Sequence, residues 1–300
     1  MRPSFRSSRK QIDQTRRSLM SAGLGGLLLA SPGPTAFARP VSQADASTRF
    51  VVCYGAIENP ADLLDYDVLV LDAEVDEAAL RGCAPGATRL GYLSLCEVNM
   101  TRAYAPDVAS QGLLLFENKN WSDARYVDLR DPRWTRRVTE QLIPALIERG
   151  FNGLFVDTLD DAEYLEALDA KRFNGMRDAA VTLMRTIRRR HPNLAIMVNR
   201  GYALLARIID DVDMVMGESV RSTFDARQGG YVLVGNEGYL WQRDRLQAAK
   251  ALRPEIGLFT LDYWAADDPR GRARLYAQQR ANGFAPYVAT FDLRRIVSES

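Results

Sequence analysis

The sequence predicts a single (β/α)8 TIM barrel preceded by an N-terminal export signal, and three observations carry that expectation. Eight short runs are apolar at both residue parities, as in parallel strands covered on both faces. Longer helical patterns separate them over roughly 250 residues, the usual size of this barrel. No Gly-rich phosphate loop follows any run, which leaves an open doubly wound sheet as the weaker alternative.

The runs are taken in order. Phe50–Tyr54 is the first and Tyr66–Asp72 the second. Arg89–Leu95, Gly153–Asp157 and Leu194–Asn199 are the third to fifth. Val212–Glu218, Ile256–Asp262 and Ala285–Thr290 complete the set. Among the helices, Asp131-Pro132 opens the clearest, which runs to Arg149 and stops at Gly150. Phe173–Arg190 ends before Pro192, Trp241–Leu252 before Pro254, and Pro269–Asn282 at Gly283.

The 300 residues hold 39 Lys+Arg and 38 Asp+Glu, a formal net charge of +1. That balance hides an asymmetry. Residues 1–38 hold six bases and one acid, so residues 39–300 carry 33 bases against 37 acids, a net of −4. A mildly acidic chain lacks the basic footprint that nucleic acid requires, and it admits a neutral or cationic ligand. The basic segment itself reads as an address. Thr15-Arg-Arg-Ser-Leu-Met20 is a twin-arginine pattern, Ser18–Ser31 is apolar but too short to span a bilayer, and Ala36-Phe-Ala38 offers a small-x-small cleavage site. The expected domains are therefore a signal peptide at 1–38 and a barrel at 39–300, exported to the periplasm or beyond, with no stable membrane insertion after cleavage.

A single histidine, His191, narrows the chemistry. It closes a basic helix end, where a cation suits the dipole. Ser-His-Asp and Cys-His catalysis need a His beside a nucleophile, and zinc sites draw on several His or Cys. Cys53, Cys83 and Cys96 are odd in number and have no metal-ligand spacing; Cys53 and Cys96 fall inside apolar runs as small hydrophobes. Catalysis is expected to fall to carboxylates.

The acids gather at the ends of the runs. Asp72 and Glu74 end the second, Glu97 follows the third, and Asp157, Asp160 and Asp161 follow the fourth. Asn199 and Arg200 follow the fifth, Glu218 ends the sixth, and Asp262, Tyr263 and Trp264 end the seventh. In a TIM barrel these ends meet at the face that holds active sites. Carboxylates with Tyr and Trp suit a sugar, whose rings lie on aromatic faces. Some acids have plainer roles: Asp72 and Glu74 are placed to cap a helix, Asp160 and Asp161 read as caps or a solvated face, and Asp292 lies beside Arg294 and Arg295 as an ion-pair partner. Asp157 and Glu218 follow wholly apolar runs, where a carboxylate needs an explanation. Glycoside hydrolysis needs such a pair, ~5–5.5 Å apart for retention and ~6.5–9.5 Å for inversion.

At these residues the sequence resembles glycoside hydrolase family 114, the endo-α-1,4-polygalactosaminidases. The strongest match is Gly150-Phe-Asn-Gly-Leu-Phe-Val-Asp-Thr-Leu-Asp160. Gly91-Tyr-Leu-Ser-Leu-Cys-Glu97 with Arg102 and Tyr104, Tyr126–Trp134, Asn199-Arg-Gly201 and Gly217-Glu-Ser219 follow the family pattern in order, with Cys96 standing where a Gly is expected. The resemblance implies a cofactor-free barrel that cleaves α-1,4-linked galactosamine and N-acetylgalactosamine polysaccharide. It places the catalytic carboxylates on Asp157, as nucleophile, and Glu218, as general acid/base. It implies that Tyr54, Asp72, Tyr92, Glu97, Asn199, Asp262, Tyr263, Trp264 and Tyr287 line the sugar subsites. The alternatives are a barrel that binds polysaccharide without cleaving it, and a glycosidase for another glycan.

Overall fold

A computed structural model describes residues 44–299; the expected signal peptide lies outside them. Eight strands form one sheet. They are β1 (Phe50–Cys53), β2 (Val68–Leu71), β3 (Thr88–Ser94), β4 (Gly153–Asp157), β5 (Ala195–Asn199), β6 (Met214–Glu218), β7 (Gly257–Tyr263) and β8 (Ala285–Ala289). Each pairs in parallel with the next in chain order. All eight apolar runs are thus strands: Gly153–Asp157 matches to the residue and the other seven are shortened or shifted by one or two residues. Every residue of β1, β2, β5, β7 and β8 is buried, the cause of the uninterrupted apolar pattern.

The barrel interior is filled by inward side chains. Phe50 of β1 meets Phe259 of β7 and Tyr287 of β8 edge-on, at centroid distances of 5.0 and 6.1 Å. The seam between β8 and β1 is tied by the segment after β8. Tyr54 N–H donates to Leu293 O at 2.7 Å, and Val297 N–H donates to the Tyr287 hydroxyl at 3.0 Å. Gly55 is required there, because a Cβ would overlap the Arg294 carbonyl.

The helix opened by Asp131-Pro132 forms as expected. Asp131 accepts from Arg133 N–H at 2.8 Å, and Gly150 ends the helix in the left-handed region at φ 105°. Its middle, Val138–Leu142, is a π turn. Pro144 follows, has no N–H to give and would crowd the carbonyl four residues back; widening the preceding turn relieves this. The helix Asn236–Leu252 starts five residues earlier than its pattern implies, passing through Gly238.

Two excursions from the barrel were not legible as strands. After β3, Glu97–Asn99, Leu114–Asn118 and Trp121–Val127 form a three-stranded antiparallel sheet. After β6, Ser222–Asp225 and Gly230–Leu233 form a two-stranded ribbon. Both rise from the C-terminal ends of the barrel strands and so shape the face that carries the acids. No helix among the described residues is long and apolar enough to cross a membrane.

Candidate active site

Five consecutive strands, β3 to β7, each send one polar side chain from the C-terminal half into the barrel mouth: Tyr92, Asp157, Asn199, Glu218 and Tyr263. Asn199 is the keystone. Its Nδ2 donates to Asp157 Oδ1 at 3.0 Å and to Glu218 Oε2 at 2.7 Å. The amide is oriented so that its two N–H groups face the acids and its oxygen faces away from them. The remaining oxygens are also held. The Tyr92 hydroxyl donates to Asp157 Oδ2 at 2.8 Å, and the Tyr263 hydroxyl to Glu218 Oε1 at 2.6 Å. All four carboxylate oxygens therefore have a donor. Because both facing oxygens bond the same nitrogen, they stand less than about 6 Å from each other.

The backbone turns sharply immediately after Asp157, Asn199 and Glu218. Thr158, Arg200 and Ser219 sit in the left-handed region at φ 63°, 55° and 53°. Three non-glycine residues there are unusual, and such strain gathers at functional sites. Hydrogen bonds hold the turns. Arg200 N–H donates to Met216 O and Ser219 N–H to Leu261 O, both at 2.8 Å, while the Thr158 hydroxyl accepts from Cys96 N–H at 3.0 Å.

Burial, then the Asp157 charge, pushes the Glu218 carboxyl above its ordinary range; the bonds from Tyr263 and Asn199 oppose this only in part. Tyr263 is itself raised well above the usual phenol value by burial and by the neighbouring Glu218 charge, so it stays a donor. Tyr54 also faces the pair. Its ring meets Tyr92 edge-on at 5.1 Å, and burial, then the charges of Asp157 and Glu218, hold its hydroxyl protonated.

The other expected site residues divide. Asp72 reaches the mouth but is clamped by Arg102, whose Nη1 and Nη2 donate at 2.9 and 2.6 Å. Burial alone would raise Asp72; the Arg102 bonds, the Glu74 N–H and the Arg102 charge outweigh it and keep the carboxyl low. Asp76, not Asp72 or Glu74, caps the following helix. Glu97 lies on the inserted sheet, 6% exposed, bonded by Asn118 and paired with Asp161. Burial, then the Glu97 charge, pushes the Asp161 carboxyl up to about 9. Asp161 is therefore the half-buried neighbour of Glu97 and not the solvated acid expected. Asp160 takes the N-cap position without a side-chain cap bond and lies 3.9 Å from Arg200.

Asp262 points away from the mouth. It accepts from Arg221 N–H, Ser222 N–H and Gln279 Nε2 at 2.6, 2.9 and 2.6 Å, tying the ribbon's entry to the barrel wall. Tyr287 sits one layer down, 1% exposed, with its hydroxyl committed to Val297. Trp264 lies on the rim, its Nε1 bonded to Asp268 at 2.9 Å. Asp292 accepts from the Thr290 hydroxyl and Arg294 N–H, with no ion pair to Arg294 or Arg295 among the described residues. The side chains sequence reasoning missed are Asn118, the partner of Glu97, and the aromatics Phe224, Tyr231 and Phe291. All four sit on the excursions or on the turn after β8, where no strand periodicity marks them.

A family model, glycoside-hydrolase family GH114, matches residues 32–299. Among solved structures the chain is similar to the glycoside hydrolase domain of PelA from Pseudomonas aeruginosa: 25% identity, TM-score 0.73, covering 84% of this chain and 98% of that one. Ega3 from Aspergillus fumigatus, solved as a complex with galactosamine, gives 13% identity and a TM-score of 0.60 over 90% of this chain and 99% of that one. A GH31 dextranase from Flavobacterium johnsoniae gives 9% identity and a TM-score of 0.56, covering 87% of this chain and 37% of that one. These last two likenesses concern the fold. No match was found among curated proteins. With an acid pair at the mouth of a parallel eight-stranded barrel and a family match across nearly the whole chain, the protein belongs to glycoside-hydrolase family GH114.

Proposed function

We propose that the protein cleaves α-1,4-linked galactosamine and N-acetylgalactosamine polysaccharide with net retention, using Asp157 and Glu218. The observation that carries this is the double hydrogen bond from Asn199 Nδ2, which keeps the facing oxygens within about 6 Å of each other, short of the inverting spacing. An inverting enzyme needs a wider gap to seat a water between its acid and the sugar.

The roles follow from the surroundings. Glu218 has the raised pKa of a general acid. As the bond from the anomeric carbon to the leaving oxygen breaks, the Glu218 proton moves onto that oxygen. Asp157, held as an acceptor by Tyr92 and Asn199, bonds to the anomeric carbon from the opposite side. Glu218, now ionised, takes a proton from water; that water bonds to the same carbon, and the Asp157–carbon bond breaks. Both carboxyls return to their starting state.

The amino-sugar preference rests on two supports. One is the motif set shared with the polygalactosaminidases. The other is the acidity of the mouth, where Asp157 and the Glu97–Asp161 pair favour a polymer bearing free amines, Asp72 being balanced by Arg102. We further propose that residues 1–38 direct export by the twin-arginine route and that the working chain begins near Arg39.

The test incubates the purified protein with α-1,4-galactosaminan and reads new reducing ends and the anomer first formed. Wild type is expected to release oligosaccharides in the α configuration. Asp157→Asn and Glu218→Gln are expected to fold and to lose ~10³-fold or more in kcat. Near-normal activity in either variant, or a β product, refutes the assignment.

A further inference from the structure

An unassigned cluster of aromatic rings adjoins Glu218. The Tyr263 ring, whose hydroxyl holds Glu218, meets Phe291 edge-on at 5.3 Å. Phe291 stacks on Phe224 at 5.2 Å with 21° between the planes. Phe224 lies directly across the two-stranded ribbon from Tyr231, with ring centroids 5.3 Å apart. Three elements distant in sequence thus converge: the end of β7, the ribbon after β6 and the turn after β8. Phe291 is 40% exposed, and Phe224 and Tyr231 are half-buried.

This arrangement is built. The Tyr231 hydroxyl accepts from Phe291 N–H at 3.3 Å, joining the turn to the ribbon. Asp262, buried behind them, accepts both N–H groups at the ribbon's entry and fixes its start against β7. A two-stranded ribbon is marginal alone, and this one is anchored at its entry and through Tyr231. Rings left partly open beside a polar site, when they could have been covered, mark a surface that receives a ligand.

We propose that Phe224 and Phe291 form a platform for a distal sugar residue of the polymer, on the Glu218 side of the scissile bond and beyond the sugars that touch the acid pair. The inference rests on the glycosidase function proposed above. The occupant follows from continuity: a polymer seated between Asp157 and Glu218 and running toward Tyr263 next crosses Phe291. Aromatic faces suit such a residue doubly, since they cover the apolar face of a pyranose and attract an ammonium group. Enzymes gain from remote binding of this kind when it raises transition-state affinity for long substrates.

The test uses Phe291→Leu and Phe224→Leu, which keep apolar volume but remove the ring face, with thermal unfolding as the folding control. The readout is the ratio of kcat/KM for long galactosaminan to that for a short oligosaccharide. Each substitution is expected to lower that ratio about tenfold, and Phe291→Trp to restore it. In the Glu218→Gln background, calorimetry is expected to show a matching loss of polymer affinity. An unchanged ratio with unchanged polymer affinity overturns the platform. Glu218→Gln keeping full activity would instead refute the underlying function, so the two failures are separable. If the ratio is unchanged while the leucine variants alter self-association, the surface serves a second copy of the chain, and the proposal also fails.

Discussion

Replacing Asn199 by alanine removes one amide and releases two carboxylates at once. Each of its bonds to a charged or charge-sharing oxygen contributes about 1.5–3 kcal/mol in comparable settings. Whenever both are ionised, facing charges about 6 Å apart at an effective dielectric of about 20 repel by about 3 kcal/mol, so without the bridge the carboxyls turn or separate. A displacement near 1 Å at a reacting group costs about 10²-fold in rate. Asn199→Ala is therefore expected to lower kcat by about that factor with a smaller change in KM. The pH profile supplies a readout that misfolding would not give. The Asn199 bond favours ionised Glu218, so losing it raises the Glu218 pKa further above its already raised value. Glu218 must be protonated to act as the acid, and the alkaline limb of kcat/KM should shift to higher pH. Steady-state kinetics on galactosaminan across pH, with thermal unfolding of both proteins, measures this. A loss under about threefold with an unmoved alkaline limb would sink the argument that Asn199 positions the pair.

Glu218→Gln should stabilise the protein in a pH-dependent way. The folded pKa of Glu218 lies above the unfolded value of about 4.5, so wild type carries no penalty below that pH and a growing one as pH rises toward the folded pKa. The Tm gain of Glu218→Gln should be near zero at acidic pH and positive at neutral pH; a constant difference would contradict this. Arg102→Ala should cost about 2–4 kcal/mol by stranding the partly buried Asp72, and Arg102→Ala with Asp72→Asn should recover most of it; additive losses in denaturant melts would rule that out. Asp262→Ala should cost about 3 kcal/mol or more, because it orphans two backbone N–H groups and Gln279; a large activity loss without destabilisation would return Asp262 to the substrate.

The barrel and the acid pair were legible because they depend on short-range signals. Parallel strands buried on both faces must be apolar throughout, so Gly153–Asp157 and its fellows stand out, and so does a carboxylate at the end of such a run. Orientation was harder. Asp262 and Tyr263 are adjacent in β7, and a strand sends neighbours to opposite faces, so only one can enter the mouth. The inward register of Phe259, Leu261 and Tyr263 decides it, and Asp262 faces the ribbon's entry. Tyr287 shares the inward parity, yet its partner in the ladder is Leu261, one layer below Tyr263. The inserted sheet and the ribbon were missed because their strands are partly exposed and so not apolar throughout, with exposed residues through most of Trp121–Ala124.

The left-handed turns after β4, β5 and β6 explain how a carboxylate can be both rigid and exposed to substrate. A side chain on a central strand is fixed by ladder bonds on both sides, but a straight continuation would bury it beneath its own chain. Ending the strand with one residue at φ between 53° and 63° diverts the backbone at once, so Asp157 and Glu218 keep strand rigidity and still reach the mouth beside the buried Asn199. Each non-glycine residue held there costs of order 1–3 kcal/mol. Glycine would avoid that cost, but at position 158 it would lose the hydroxyl that accepts from Cys96 N–H and bonds Ser94, and so fastens the sheet after β3 to the end of β4. At 219 it would lose the hydroxyl that donates to Thr223 on the ribbon. Thr158 and Ser219 therefore couple the acid pair to the two excursions that wall the mouth. The strain is the consequence of requiring one residue to end a strand, free a carboxylate and anchor the wall beside it.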